Sequence, residues 1–281
     1  MTRATAPGEI GTLPDFEAPP VVEVVLSVGF QPLDRLGVIT QAELWRTKFR
    51  DSLPKVEEQP PYEIPIESIG STGDLPAISF QLLRTVPLPR LWFLDDTGSQ
   101  LVQIQNNWLA RNWRRVQFLQ DYPRYPAMRT SFWNDLETLQ GYVLDNGMGS
   151  INPTQCEVTY INHIEYPDGA ATGDLGSILR PILSPPIEPG VTLESARWGA
   201  QYILVKEEKR VGRLHVTADP ANRRSDGAAV VVLTLTARGA PIGEGLEGIV
   251  AFLDLGRKAA LDTFLAITRP EMHRLWRKTH D

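Results

Sequence analysis

Residues 21–30, VVEVVLSVGF, are β-branched and mostly apolar between Pro19-Pro20 and Pro32, which predicts a strand. Thr40, in N-cap position with Glu43 three residues on, opens a predicted helix over QAELWRTKFRDSL, with Leu44, Phe49 and Leu53 near one face. A Pro-rich connector, EEQPPYEIPIESIGSTGDLP, then leads to three predicted strands: ISFQLLRTV, RLWFLDD and QLVQIQNNWLARNWRR. Asp96-Thr97-Gly98 is the hairpin turn between the last two. From Pro126 onward Met128, Phe132, Leu136, Leu139 and Val143 recur in steps of three and four, closed by Asn146-Gly147, the signature of a long amphipathic helix.

The second half runs in the same order. TQCEVTYINHIEY reads as a strand, DLGSILRPIL as a short helix stopped by prolines, and RWGAQYILVKEEKR, VGRLHVTADP and AAVVVLTLTARG as three strands. Ile249, Phe252, Gly256, Ala260, Phe264 and Ile267 then step along a closing helix from about Gly248. The predicted fold class is α+β: two tandem β-α-β-β-β-α units, residues 19–150 and 151–281, as two domains or one continuous one. They form two curved antiparallel sheets or one saddle, each unit with its long helix across one face, although no residue-level identity links the halves. Residues 1–18, rich in Pro, Gly, Ala and Thr, read as a flexible arm.

With 34 acidic against 28 basic residues the chain carries a net charge of −6, so any nucleic-acid site has to be local. No apolar run is long enough to span a bilayer and the N-terminus has no signal-peptide pattern, so the expected location is cytoplasmic, with no membrane contact. The single cysteine, Cys156, lies in an apolar strand and excludes an internal disulfide and a multi-cysteine metal site. No metal or cofactor is expected. The chain contains no G-x-x-x-x-G-K-S/T, H-E-x-x-H or G-x-S-x-G. GEGLEG, residues 243–248, matches G-x-G-x-x-G at a helix start. However, Ala240-Pro241-Ile242 separate it from its strand, Glu244 and Glu247 put negative charge where a pyrophosphate would lie, and no second parallel strand follows. It reads as a loop that opens a helix.

Two stretches carry candidate chemistry. In NNWLARNWRR, residues 106–115, strand alternation sends Arg111, Trp113 and Arg115 to one face and Trp108, Asn112 and Arg114 to the other. Arginines stacked on tryptophan and paired with carboxylates inside a sheet are one reading; nucleic-acid contact is the other, with Arg223 and Arg224 available to extend such a surface. In CEVTYINHI, Glu157, Thr159 and His163 share one face, and Tyr160 and Asn162 the other. A Glu/His pair could serve as acid and base or as metal ligands, against the alternative that these polar groups only tie neighbouring strands together.

The blocks PPVVEVVLSVGF, NWRRVQFLQDYPRYPAM, EVTYINHI and AITRPEMHRLW occur together over 19–276, nearly the whole chain. In this combination the sequence resembles a sporadically distributed family of uncharacterised prokaryotic proteins of about this length. The resemblance places motif positions at Glu23, Asn112, Trp113, Arg114, Tyr122, Pro123, Tyr125, Glu157, Tyr160, Asn162, Met272, His273 and Trp276. It implies no reaction and no ligand, and a patchy gene distribution like that of mobile defence or toxin–antitoxin cargo.

The leading expectation is a non-enzymatic protein that binds a partner or ligand through its sheet face in a bacterial defence or toxin–antitoxin setting. Its partner would be a protein encoded by a neighbouring gene, and a homo-oligomer is open. The candidate binding residues are Trp108, Arg111, Trp113, Arg114, Arg115, Tyr122, Tyr125, Glu157, Tyr160, Asn162 and His163. One alternative is nucleic-acid binding through Trp108, Arg111, Arg114 and Arg115; another is an enzyme that uses Glu157 and His163. The structural reading of the 106–115 strand buries Trp113 and Arg114, with Arg114 salt-bridged or bonded to backbone. On that reading Arg114→Ala lowers the free energy of urea unfolding by about 2–4 kcal/mol, and a loss under about half a kcal/mol marks an exposed residue instead.

Overall fold

The computed structural model describes residues 15–67, 88–116, 120–180, 182, 190–191 and 193–279. In chain order its elements are β1 (Val21–Phe30), α1 (Val38–Leu44), β2 (Lys55–Gln59), β3 (Arg90–Leu94), β4 (Gln100–Gln105), β5 (Trp108–Arg114) and α2 (Arg124–Asp145). There follow β6 (Pro153–Glu165), β7 (Trp198–Lys206), β8 (Lys209–Asn222), β9 (Ala229–Gly239), α3 (Gly245–Ile267) and α4 (Pro270–Leu275). The nine strands form one sheet in the order β2-β3-β4-β5-β1-β6-β9-β8-β7, every neighbour antiparallel. The fold is therefore α+β, with a single continuous sheet. In each half the first strand is central, the last strand lies beside it, and the strands between lead outward to an edge.

β1 and β6 form the centre because both can bury side chains on the helix side without interruption. Val24, Leu26 and Val28 are fully buried and sit across from Tyr160, Val158 and Cys156. Phe132, Leu136, Leu139 and Val143 of α2 and Ile249, Phe252 and Phe264 of α3 complete the core, as their three- and four-residue spacing requires. Close approach of α3 depends on glycines in the facing strands. Gly212 and Gly239 are cross-strand partners, and a Cβ on either would meet the Phe252 ring, at 2.9 and 2.6 Å.

Several elements depart from the sequence pattern. The stretch 100–115 is two strands, because the chain turns at Asn106-Asn107, whose carbonyls accept from Leu33 and Phe30. RWGAQYILVKEEKR likewise turns at Glu207-Glu208, both in the left-handed region at φ 49° and 63°. The Pro-rich connector contains β2, an exposed edge strand that Pro54 and Pro60 bound and that Lys55, Glu57 and Glu58 protect from further pairing. α1 starts at Val38 after an extended Gly37, so Thr40 lies inside it and bonds the Arg35 carbonyl rather than capping; a π-helical turn follows over Trp45–Phe49. DLGSILRPIL is reduced to a 3-10 turn, Leu175–Ser177, capped by Asp174, and Leu179 bridges to Thr268. The predicted strand ISFQLLRTV lies outside the described residues.

At the chain's start, residues 15–18 join the fold. Phe16 is buried among Phe264, His273 and Trp276, while Glu17 and Ala18 donate to the carbonyls of Arg277 and Trp276. No helix among the described residues is long and apolar enough to cross a membrane.

The glycine packing separates two substitutions of the same kind. A Cβ on Gly239 would sit 2.2 Å from the Val211 carbonyl oxygen, which cannot move without breaking the sheet, whereas one on Gly141 of α2 meets nothing within 4 Å. Gly239→Ala is expected to lower stability by about 1–3 kcal/mol through overpacking, and Gly141→Ala to raise it by about 0.5–1 kcal/mol. Urea unfolding midpoints of the two variants check both signs.

Candidate functional site

The two faces of the sheet differ in chemistry. On the helix side, the start of α2, one flank of α3, the end of β6 and the segment 15–21 line a cavity of about 380 Å³. Its polar wall is made of Asp15, of Tyr122 just before α2, of Arg124 and Tyr125 from the first turn of α2, of Tyr160 and Asn162 from β6, and of Arg257 from α3. Phe16, Pro20, Leu235, Leu261 and Phe264 make the apolar remainder.

Local structure sets each polar group. Arg124, the first residue of α2, adopts φ 69°, a conformation that side chains disfavour, and its guanidinium bonds Asp15 at 2.7 Å. Asp254 of α3 ties the two long helices together: it accepts from the Tyr125 hydroxyl at 2.8 Å and from Arg129 through two nitrogens at 2.9 and 3.0 Å. The Arg257 guanidinium lies 4.8 Å over the Tyr125 ring and forms no ion pair with any described carboxylate; its Nη1 is buried without an acceptor. The Tyr160 hydroxyl has the Tyr122 hydroxyl and the Arg257 guanidinium as neighbours; Arg257 can only donate to it, and either of the two hydroxyls can donate to the other. Burial pushes the Tyr160 phenol up to about 12, and it drives those of Tyr122 and Tyr125 well above their ordinary value. All three hydroxyls therefore stay protonated at neutral pH and act as donors.

The sequence-derived candidates divide among three places. Tyr122, Tyr125, Tyr160 and Asn162 converge on the cavity, and buried Trp113 packs behind Tyr122 with ring centroids 5.3 Å apart. Arg115 lies against Trp113, 5.9 Å from its ring. Arg111 is inside, 3.2 Å from Asp135 of α2, with the two side chains only 14 % and 10 % exposed. Burial pushes the Asp135 carboxyl up to about 7 against the pull of Arg111.

The opposite face holds the rest. Trp108 stacks on Tyr62 at 4.7 Å. A chain of hydrogen bonds crosses four strands there, from Trp92 to Gln103, Gln103 to Asn112, and Asn112 to Glu23. Arg114 is half-buried; it donates to the Gly98 carbonyl at 2.7 Å and stacks on Trp92 at 5.4 Å. Since Arg114 has a backbone carbonyl and a ring as partners and no carboxylate among the described residues, Arg114→Ala strands no buried carboxylate there. The smaller figure of about 0.5–1.5 kcal/mol for one hydrogen bond replaces the larger expectation.

Glu157 accepts from Arg238 at 2.6 Å and from Thr159. His163 lies six residues further along β6, opposite Val232, about 20 Å away at ~3.3 Å per residue, so the two do not share a cleft. Burial and nearby Arg223 lower the His163 pKa. Arg223 itself pairs with Glu165 and Asp226. The basic residues of 106–115 thus occupy three environments and form no single strip.

Arg129, Asp254 and Arg257 escaped the sequence reading. The signal was present in periodicity: Arg129 follows Tyr125 by four, and Arg257 falls between Leu253 and Ala260 on an apolar stripe, where a charge needs a partner or a ligand. Around GEGLEG a second hollow is lined by Arg129, Glu244, Glu247 and Asp254; Arg129 is paired with Asp254, and the two glutamates repel a phosphate. Among the described residues no group of three His, Cys, Asp or Glu side chains could hold a metal ion. Cys156 is buried, and burial raises its thiol pKa far above the usual value. No protein-family model matches the chain, and no curated protein matches it.

The Arg111–Asp135 pair gives a pH-dependent expectation. In Arg111→Met, burial acts on Asp135 unopposed and its folded pKa rises further above the unfolded one. The folded state then holds more protons between those values, so stability falls as pH rises through that window. The variant is expected to lose about 3–5 kcal/mol at about pH 8 and clearly less at about pH 5. Urea unfolding at both pH values checks this, and an equal loss at both shows that Asp135 is not the buried ionised partner.

Proposed function

We propose that this is a non-catalytic binding protein and that its ligand sits in the cavity between α2, α3 and β6. The observation that carries the reading is Arg257: of the two guanidinium groups that line the cavity among the described residues, Arg124 is paired with Asp15 and Arg257 has no carboxylate partner. A cation held this way beside protonated phenol donors and apolar side chains is equipped to hold an anion. It is poorly equipped to move protons, because the raised tyrosine pKa values lie far from neutral pH. Glu157, the acid expected for an enzymatic role, is engaged by Arg238.

The seat is thus assigned to the helix side of the sheet, where four of the motif positions carried by the family resemblance meet, rather than to the opposite face. The shared strand order of the two halves supports a tandem origin of the fold, which we include in the proposal. The test is ligand-observed NMR with a library of small organic acids, bases and neutral compounds on the wild type and on Leu261→Trp, which fills the cavity from a half-exposed position. Saturable binding that Leu261→Trp abolishes, with the unfolding midpoint retained, is the expected result. Absence of binding, or binding indifferent to the substitution, overturns the cavity assignment. Turnover of a nucleotide or nucleic acid by the pure protein, lost in Glu157→Gln or His163→Ala, overturns the non-catalytic reading.

A further inference from the structure

Resting on that cavity reading, we infer that the ligand is an amphipathic monocarboxylate, its carboxylate held by Arg257 and Tyr160 and its apolar body lying against Phe16, Leu235, Leu261 and Phe264. The charge count sets the anion's valence. Among the described residues two guanidinium groups line the cavity, and Asp15 neutralises Arg124 at 2.7 Å, which leaves one positive charge at Arg257. A doubly charged phosphate would be only half compensated by the cavity's own charge, and a cation would meet repulsion.

The hydrogen-bond inventory sets the shape of the acceptor. The hydrogen of Tyr125 is spent on Asp254, and one hydrogen is spent between Tyr122 and Tyr160. Tyr160 has the Tyr122 hydroxyl and the Arg257 guanidinium as neighbours; Arg257 can only donate, and between the two hydroxyls either can donate, so one phenol hydrogen of the pair is left for a ligand. Arg257 lines the cavity with no carboxylate partner among the described residues; its Nη1 lacks an acceptor but is hidden from solvent, so the carboxylate meets the part of the guanidinium on the cavity wall. Two adjacent donor groups match the two oxygens of one carboxylate. At about 380 Å³ the cavity is at the lower end of the ~300–1000 Å³ typical of small-molecule sites, which fits a short alkyl or single-ring body.

The experiment is isothermal titration of the full chain with octanoate and 3-phenylpropionate, against 1-octanol, 3-phenyl-1-propanol and inorganic phosphate. Each acid is expected to bind at least about 10-fold tighter than its alcohol, since a hydrogen bond to a charged group contributes that much or more. Arg257→Met is expected to weaken the acids about 10- to 100-fold and to leave the alcohols nearly unchanged. Tyr160→Phe, which keeps the ring, and Arg257→Lys, which keeps the charge, are each expected to weaken the acids in the same direction and serve if Arg257→Met does not fold. Alcohols binding as tightly as acids, acid affinity indifferent to Arg257 and Tyr160, no acid binding at all, or preference for phosphate each overturns the carboxylate inference. Alcohol binding that Leu261→Trp abolishes keeps the cavity as the seat while that inference falls. Acid binding indifferent to Leu261→Trp removes the cavity itself.

Discussion

The antiparallel pairing of β1 with β6 is the contact on which the rest of the molecule depends. β1 opens the first half and β6 the second, so this one ladder joins two sets of strands into a continuous sheet. Its helix-side row is buried from Val24–Tyr160 through Leu26–Val158 to Val28–Cys156, and both long helices rest on it and on the strands beside it. The pairing also places the site. At its end Val21 lies opposite Asn162 and His163 donates to the Pro20 carbonyl, which sets Tyr160 and Asn162 at the mouth between α2 and α3.

Charged groups do two kinds of work in this fold. Asp254 holds Arg129 and Tyr125, Asp135 holds Arg111, and Glu157 holds Arg238; each bond is made between elements distant in sequence. Such buried pairs contribute modest net stability but exact a large penalty when one partner is lost, so they act as locks on helix and strand placement. Arg257, like Arg114 on the opposite face, rests on an aromatic ring with no carboxylate partner among the described residues, and unlike Arg114 it lines the cavity. A polar group left with unused capacity in a closed fold is where function and packing part company.

The opposite face carries polarity of another sort. The run from Trp92 through Gln103 and Asn112 to Glu23, and the link from Glu157 to Arg238, satisfy their members across neighbouring strands. Glu67 spans to Arg213 and His215 on β8, so the segment after β2 lies against this face. Polar residues that tie strands together in this way specify register more than they offer a binding surface.

Period and composition alone determined much of this architecture. The three- and four-residue steps from Met128 to Val143 and from Ile249 to Ile267 mark helices because burying one stripe is a local demand. The apolar runs of β1, β6 and β9 mark strands for the same reason. Turns without glycine or proline at their centre, at Asn106-Asn107 and Glu207-Glu208, carried no such mark, since contacts with distant segments and adjoining strands hold them in place. Four of the cavity's polar residues, Tyr122, Tyr125, Tyr160 and Asn162, were legible as candidates. Their meeting with Arg257 was decided only by the tertiary structure, because which charge finds a partner depends on what crosses the sheet. Asp254 reaches Arg129 across two helices, Asp135 reaches Arg111 from helix to strand, and Arg257 is left on the cavity wall.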